Sequence, residues 1–205
     1  VPDRLASHIL EELREHGLEN DPVGIDMTDM VALAALNRAG IATTDGSQVM
    51  LAARTIKTDE EVALLDHAAA IVDATYERIY EMLRPGVKES EVVADAQKLL
   101  FELGSEQVEA INAVSGDRCI PHPHVFSDRL LRPGDQAFFD IIHSFMGYRT
   151  CYYRTFNVGG VNQAQLDAYK QCREWRDRAS DLVLPGATTD QIAAVWPSAQ
   201  ELGFP

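Results

Sequence analysis

LRPGDQAFFDIIHSFMGYRTCYYRTF, residues 131–156, predicts a β-hairpin that decides the fold of this chain. A Pro-Gly-Asp turn signal precedes a β-rich run over residues 136–143. Residues 144–147 can turn the chain, and residues 148–158 are rich in Tyr, Thr, Phe and Val, as a returning strand requires. The stretch therefore predicts two antiparallel strands joined by a short turn.

The predicted hairpin places an acid opposite a thiol. If the turn centres on residues 145–146, Asp140 lies directly opposite Cys151, with Cβ atoms roughly 5 Å apart. Because side chains alternate along a strand, Asp140, Ile142, Arg149 and Cys151 then share one face of the sheet. Such a pair can share a metal ion or a substrate, or can simply be a polar pair in a half-buried sheet.

Composition bounds the class of protein. The chain has 205 residues, 46% of them hydrophobic, and a formal net charge of −14. That charge argues against nucleic acid or an anionic membrane as a partner, and no apolar run approaches the ~20 residues that span a bilayer. The three cysteines follow no disulfide or zinc spacing. We therefore expect a reducing, cytoplasmic location.

The chain divides near residues 56–57. Residues 1–56 alternate helix and strand, which is typical of α/β packing, and we expect them to be the C-terminal part of an α/β N-terminal domain. Thr58 and Glu61 form a capping box that begins a long helix. Residues 57–205 then predict an α+β domain.

That second segment contains an internal repeat. A Leu-Arg-Pro-Gly turn and a helix ending at Gly104 match a Leu-Pro-Gly turn and a helix over 190–202 ending at Gly203. The offset of about 100 residues has the scale of half a domain. The first copy continues into a strand, a loop and the Asp140 hairpin. We therefore expect one and a half copies of a duplicated α+β unit, within a longer protein.

With the repeat and hairpin in place, residues 58–205 resemble the creatinase/prolidase/Xaa-Pro aminopeptidase/methionine aminopeptidase family, which has the pita-bread fold. Residues 1–54 resemble the end of the N-terminal domain found in creatinase and prolidase. The catalytic-domain resemblance is carried by four short segments, namely TIKTDEE at 55–61, SDRLLRPGD at 127–135, FFD at 138–140, and GY at 147–148 with RTF at 154–156.

The resemblance implies a metal centre that this chain alters. In the metallopeptidases of the family, one strand supplies an Asp and the return strand a second Asp eleven positions on. Asp140 fills the first place here and Cys151 the second, so these two residues are the metal ligands only if a metal is bound. The remaining ligands, a His and two Glu, come from the second half of the duplicated unit. We expect either no cofactor or a divalent transition metal ion.

Creatinase and the ectoine hydrolases of this family also lack the full set of acids, and they hydrolyse a C–N bond in a small molecule. In creatinase, a histidine upstream of the first strand is thought to move protons. His122 and His124 stand at that place, and the sequence does not choose between them. An imidazole suits this role because its pKa lies near neutral.

The first hypothesis is a hydrolase of a C–N bond in a small amide, amidine or dipeptide-like substrate, with His122 or His124 catalytic. Asp140 and Arg149 would bind the substrate, unless Arg149 merely pairs with Asp140. The alternatives are an Xaa-Pro metallodipeptidase with an altered metal site and a non-catalytic pseudo-enzyme. The resemblance also implies a homodimer. We expect the 205 residues alone to be inactive.

Overall fold

The computed structural model describes residues 1–121 and 123–203 and contains two compact units, Val1–Ala63 and a second unit that begins at Leu64. The first unit has three helices and a parallel pair of short strands, whose core residues are Ala6, Ala35, Leu36 and Ile41. Its elements are α1 (Pro2–Glu15), β1 (Val23–Ile25), α2 (Met30–Arg38), β2 (Thr43–Asp45) and α3 (Ser47–Thr55).

The second unit carries the candidate site on a three-stranded antiparallel sheet. The sheet consists of β3 (Gln107–Ser115), β4 (Gln136–Phe145) and β5 (Tyr148–Asn157), with β4 in the centre. The helices that complete the unit are α4 (Asp59–Met82), whose first turns belong to the first unit, α5 (Glu89–Glu102), α6 (Gln163–Asp181) and α7 (Thr189–Ala193). Every helix in the described part of the chain is too short or too polar to cross a membrane.

One face of the sheet packs on α4 and α5. Phe139 and Ile141 of β4 point to this side and are buried with Val72, Ile79 and Leu100 of the two helices. Alternation along β4 therefore sends the apolar residues at odd positions to the core and leaves Asp140 on the opposite face. The candidate site lies on that second face.

A tyrosine fixes the hairpin to the long helix. The Tyr76 hydroxyl of α4 lies 2.9 Å from the carbonyl oxygen of Phe139 and 2.6 Å from that of Tyr152. These two carbonyls belong to adjacent strands, so one side chain of α4 contacts the backbone of both β4 and β5. These hydrogen bonds fix the position of β4, the strand that carries Asp140, along the axis of α4.

The register of the hairpin corrects the sequence prediction. Met146 and Gly147 form the turn with positive φ angles of 49° and 81°, and Phe145 pairs with Tyr148. Two-residue hairpin turns favour such left-handed residues because their twist matches that of the strands. The turn therefore centres one residue later than predicted, and Cys151 lies opposite Ile142 rather than opposite Asp140.

The predicted strand pairing is wrong by two residues, so the side chains still lie on the predicted face of the sheet. A slip of one residue would have moved every side chain to the other face, whereas a slip of two restores the original face. Asp140, Ile142, Arg149 and Cys151 do share one side of the sheet.

The helix of the second repeat is shorter than predicted. It ends at Ala193, four residues before Pro197, which cannot donate a helical hydrogen bond.

Candidate active site

Asp140 is a buried acid at the centre of the sheet. It is 1% exposed, and the strands on either side of β4 both supply a donor to its carboxylate. Asn112 Nδ2 of β3 donates to Asp140 Oδ2 over 3.0 Å, and Cys151 Sγ of β5 donates to Oδ1 over 3.2 Å. These bonds compensate for the loss of water around a buried carboxylate.

Cys151 acts here as a hydrogen-bond donor. Partial burial of the thiol, and then its hydrogen bond to Asp140, raise the pKa of Cys151 to about 11. The thiol is therefore protonated near neutral pH. Reactive cysteines have a lowered thiol pKa instead, because the thiolate is the nucleophile. The geometry thus opposes a nucleophilic role for Cys151.

Tyr153 completes the surroundings of Asp140. It is the residue that pairs with Asp140 across the strands, and its ring centroid lies 5.9 Å from that of Phe138. Burial of the phenol and the negative charge of Asp140 raise the pKa of Tyr153, so the phenol is protonated. A carboxylate flanked by an amide, a thiol and a phenol can hold a polar substrate or share a proton with it.

Arg149 lies farther along the same face. It pairs with Ser144 in the register and forms an ion pair with Glu109, so the alternative of an ion pair with Asp140 is wrong. The reason is the register, because Arg149 lies four pairs from Asp140, next to the turn. Its side chain is 66% exposed, and a role in substrate binding stays a prediction.

Of the two loop histidines, His124 is among the residues that the structure describes. His122 lies outside the described residues. His124 is exposed in the loop between β3 and β4. A third histidine, His143, is buried on the core face of β4, where its ring contacts Ser105 Oγ at 2.7 Å and the Ala68 carbonyl at 2.9 Å. His143 therefore has a packing role away from Asp140.

Sequence reasoning missed Asn112 and Tyr153. Asn112 stands in an apolar strand, and a buried amide there signals a polar partner, but only the β3–β4 register identifies Asp140 as that partner. Tyr153 was missed because the predicted turn was one residue early. The structure thus joins Asp140 and Cys151 by a hydrogen bond, although not as the directly opposed pair that was predicted, and adds two neighbours to them.

Comparison with known proteins identifies the family. Residues 63–204 match the model of metallopeptidase family M24. The chain belongs to family M24. The creatinase/prolidase resemblance predicted from the hairpin and the repeat is thereby confirmed.

The curated relatives of the chain include a probable dipeptidase and a creatinase. The chain is 30% identical to the probable dipeptidase PepE of Mycobacterium tuberculosis over 84% of its own length and 48% of that protein. It is 28% identical to the creatinase of a Bacillus species over 87% and 44% of the two lengths. The chain thus spans less than half of each of these curated relatives.

A solved Xaa-Pro dipeptidase structure confirms the predicted pita-bread fold. The Xaa-Pro dipeptidase from Bacillus anthracis superposes with a TM-score of 0.72 at 28% identity. The superposition covers 85% of this chain and 50% of that one. The chain is therefore similar in fold to part of an Xaa-Pro dipeptidase.

The M24 family implies divalent metal ions, and the described residues offer Asp140 and Cys151 as candidate ligands rather than a complete two-metal centre. Within residues 1–121 and 123–203, no three His, Cys, Asp or Glu side chains converge as a metal site. The side chain beside Asp140 is a protonated thiol rather than a second carboxylate. A pair of metal ions ~3.5–4 Å apart needs ligands that clamp both, and hard divalent ions prefer oxygen to sulfur.

Proposed function

We propose that the full-length protein is an M24 hydrolase that cleaves a C–N bond in a small amide, amidine or dipeptide-like substrate without a full dinuclear metal site. The observation that carries this proposal is the hydrogen bond from Cys151 Sγ to Asp140 Oδ1. Cys151 stands at the position where the resemblance implies a second aspartate. Membership of a metallopeptidase family supports hydrolysis of a C–N bond, and the thiol supports chemistry with fewer carboxylates.

The proposed roles follow from the chemistry of each side chain. His122 or His124 moves the proton between the attacking water and the leaving nitrogen. Asp140 accepts a hydrogen bond from the substrate, and Arg149 binds a substrate carboxylate through its planar guanidinium. Further carboxylates come from parts of the protein outside these 205 residues, so the 205-residue chain alone is inactive under this proposal.

A second candidate is an Xaa-Pro dipeptidase with an altered metal site. The identity of 30% to a probable dipeptidase and the superposition on an Xaa-Pro dipeptidase favour it. In that case the substrate is a dipeptide, and a metal ion bound partly by residues outside this chain takes part. A homodimer and a cytoplasmic location, both expected from sequence, stay predictions under either candidate.

An assay of the full-length protein separates these candidates. The enzyme is treated with a chelator and dialysed, and hydrolysis of an Xaa-Pro dipeptide and of creatine is measured with and without added Mn²⁺. Release of product by the chelated enzyme at an unchanged rate supports the first proposal. Hydrolysis of the dipeptide that depends on Mn²⁺ supports the second, and failure of both substrates under all conditions favours a non-catalytic protein.

A further inference from the structure

The loop that carries the histidines is hydrogen-bonded to one buried carboxylate, that of Glu89. This histidine loop, described at residues 116–121 and 123–126, follows the end of β3 at Ser115 and precedes Ser127. Glu89, in the first turn of α5, is 1% exposed and contacts both ends of the loop. Its Oε1 accepts a hydrogen bond from Ser115 Oγ over 2.6 Å, and its Oε2 accepts from Ser127 N over 2.9 Å.

An arginine from inside the loop joins the same carboxylate. Arg118 forms an ion pair with Glu89, and its Nη1 also donates to Ser127 Oγ over 2.8 Å. Its Nη2 donates to the Val125 carbonyl over 2.9 Å, one residue after His124. The start, the interior and the end of the histidine loop are thus bonded through one set of side chains, the Glu89 network (Glu89, Ser115, Arg118 and Ser127).

The Glu89 network continues to the strand that carries Asp140. Arg129 Nη1 donates to Ser115 Oγ over 2.8 Å and to Asp135 Oδ2 over 2.5 Å, and Asp135 immediately precedes β4. The space is filled, because a Cβ on Gly116 would lie 2.3 Å from the Arg129 guanidinium. An unbroken series of bonds therefore relates the histidine loop to β4.

Stability alone is a weak reason for such an arrangement. A buried ion pair recovers little net stability after the cost of removing both charges from water, and its best-attested use is to specify one geometry. Glu89 lies at the N-terminus of α5 and accepts hydrogen bonds from four donor groups, and these bonds are all formed only in one loop conformation. The groups bonded to Glu89 all belong to the loop or its ends.

We propose that Glu89 is a positioning residue, whose buried carboxylate sets the place of the histidine loop relative to Asp140. This inference rests on the proposed function only in assigning the proton transfer to a histidine of that loop. Glu89 touches no reacting atom in this account. It acts through Arg118 and Ser127, which bond described parts of the loop before and after His124.

The test compares Glu89→Gln with Glu91→Gln in the full-length protein. Glutamine keeps the shape of Glu89 but removes its charge and one of its two acceptor oxygens, whereas Glu91 is an exposed acid of the same helical turn. We expect Glu89→Gln to speed amide hydrogen exchange in residues 116–126 about tenfold. We also expect kcat to fall on the order of tenfold at unchanged KM, because misplaced catalytic groups slow the chemical step.

Two further measurements keep the test decisive. Carbethoxylation of histidine by diethyl pyrocarbonate, followed at His124 by mass spectrometry, is expected to rise in Glu89→Gln and not in Glu91→Gln. This readout and hydrogen exchange need no substrate, so they test positioning even if the protein hydrolyses none of the compounds tried. If Glu89→Gln does not fold, Ser127→Ala removes one hydroxyl and retains the backbone bond, and smaller shifts in the same direction are expected.

The proposal is contradicted in either of two ways. Unchanged exchange and carbethoxylation in a folded Glu89→Gln variant would mean that the carboxylate does not hold the loop. Faster exchange with an unchanged kcat and an unchanged pH profile, in a variant with measurable turnover, would mean that Glu89 supports the fold without positioning the histidines.

Discussion

Replacing Asp140 by asparagine is expected to lower kcat/KM of the full-length protein about 100-fold or more. Asp140 is the buried acid to which Asn112 and Cys151 both donate, so its charge is oriented before the substrate arrives. Losing one preorganised electrostatic contact to a reacting group costs about 10²- to 10³-fold in rate. Steady-state kinetics on the substrate identified by the assay above measures the effect.

The control for this variant is Asp66→Asn, which removes one carboxylate from an exposed position on α4. It is expected to change kcat/KM less than about twofold, because exposed charges contribute little. Circular dichroism and thermal melting establish that Asp140→Asn folds. A folded Asp140→Asn enzyme with wild-type kinetics would remove Asp140 from the site.

Replacing Phe139 by alanine is expected to destabilise the protein by about 3–5 kcal/mol, the usual cost of deleting a buried phenylalanine side chain. Phe139 is 1% exposed and packs on the α4–α5 side of the sheet, with its ring centroid 6.1 Å from that of Phe156. Its neighbour in sequence is Asp140, so the same strand carries the core on one face and the site on the other. Urea denaturation of the full-length protein measures the change in the free energy of unfolding.

Phe101→Ala is the matched control, because Phe101 of α5 is 48% exposed. It is expected to cost less than about 1 kcal/mol, as exposed positions away from special features usually do. Equal destabilisation by the two substitutions would show that the β4 face against α4 and α5 is not the core of this unit.

Alternation along the hairpin was enough to predict the faces of the sheet, and repeated turns and helices indicated the duplicated fold. Pairing across the hairpin was not predicted correctly, because it depends on the residues that accept positive φ. Met146 and Gly147 do so in the structure, and the strand pairs shift by two residues. A two-residue shift changes the partner of Asp140 while retaining the face on which Cys151 lies.

The contacts of the site could not be predicted where they join residues that are far apart in the sequence. Asn112 reaches Asp140 across 28 positions of the chain, and Glu89 reaches Ser127 across 38. Neither residue lies in a pattern that distinguishes it, since Glu89 reads as an ordinary acid in the first turn of a helix. Only the packing of α5 beside the loop buries this carboxylate and gives it partners.

The central claim concerns the residue beside Asp140, and metal analysis of the full-length protein tests it most directly. Wild-type protein and the variants Cys151→Asp and Cys151→Ser are loaded with excess Mn²⁺, desalted and analysed by mass spectrometry for bound metal. We expect the wild type and Cys151→Ser to retain well below one ion per chain, and Cys151→Asp to retain more, because a carboxylate is a better ligand for Mn²⁺ than a thiol. Retention of one or more ions per chain by the wild type would contradict the account.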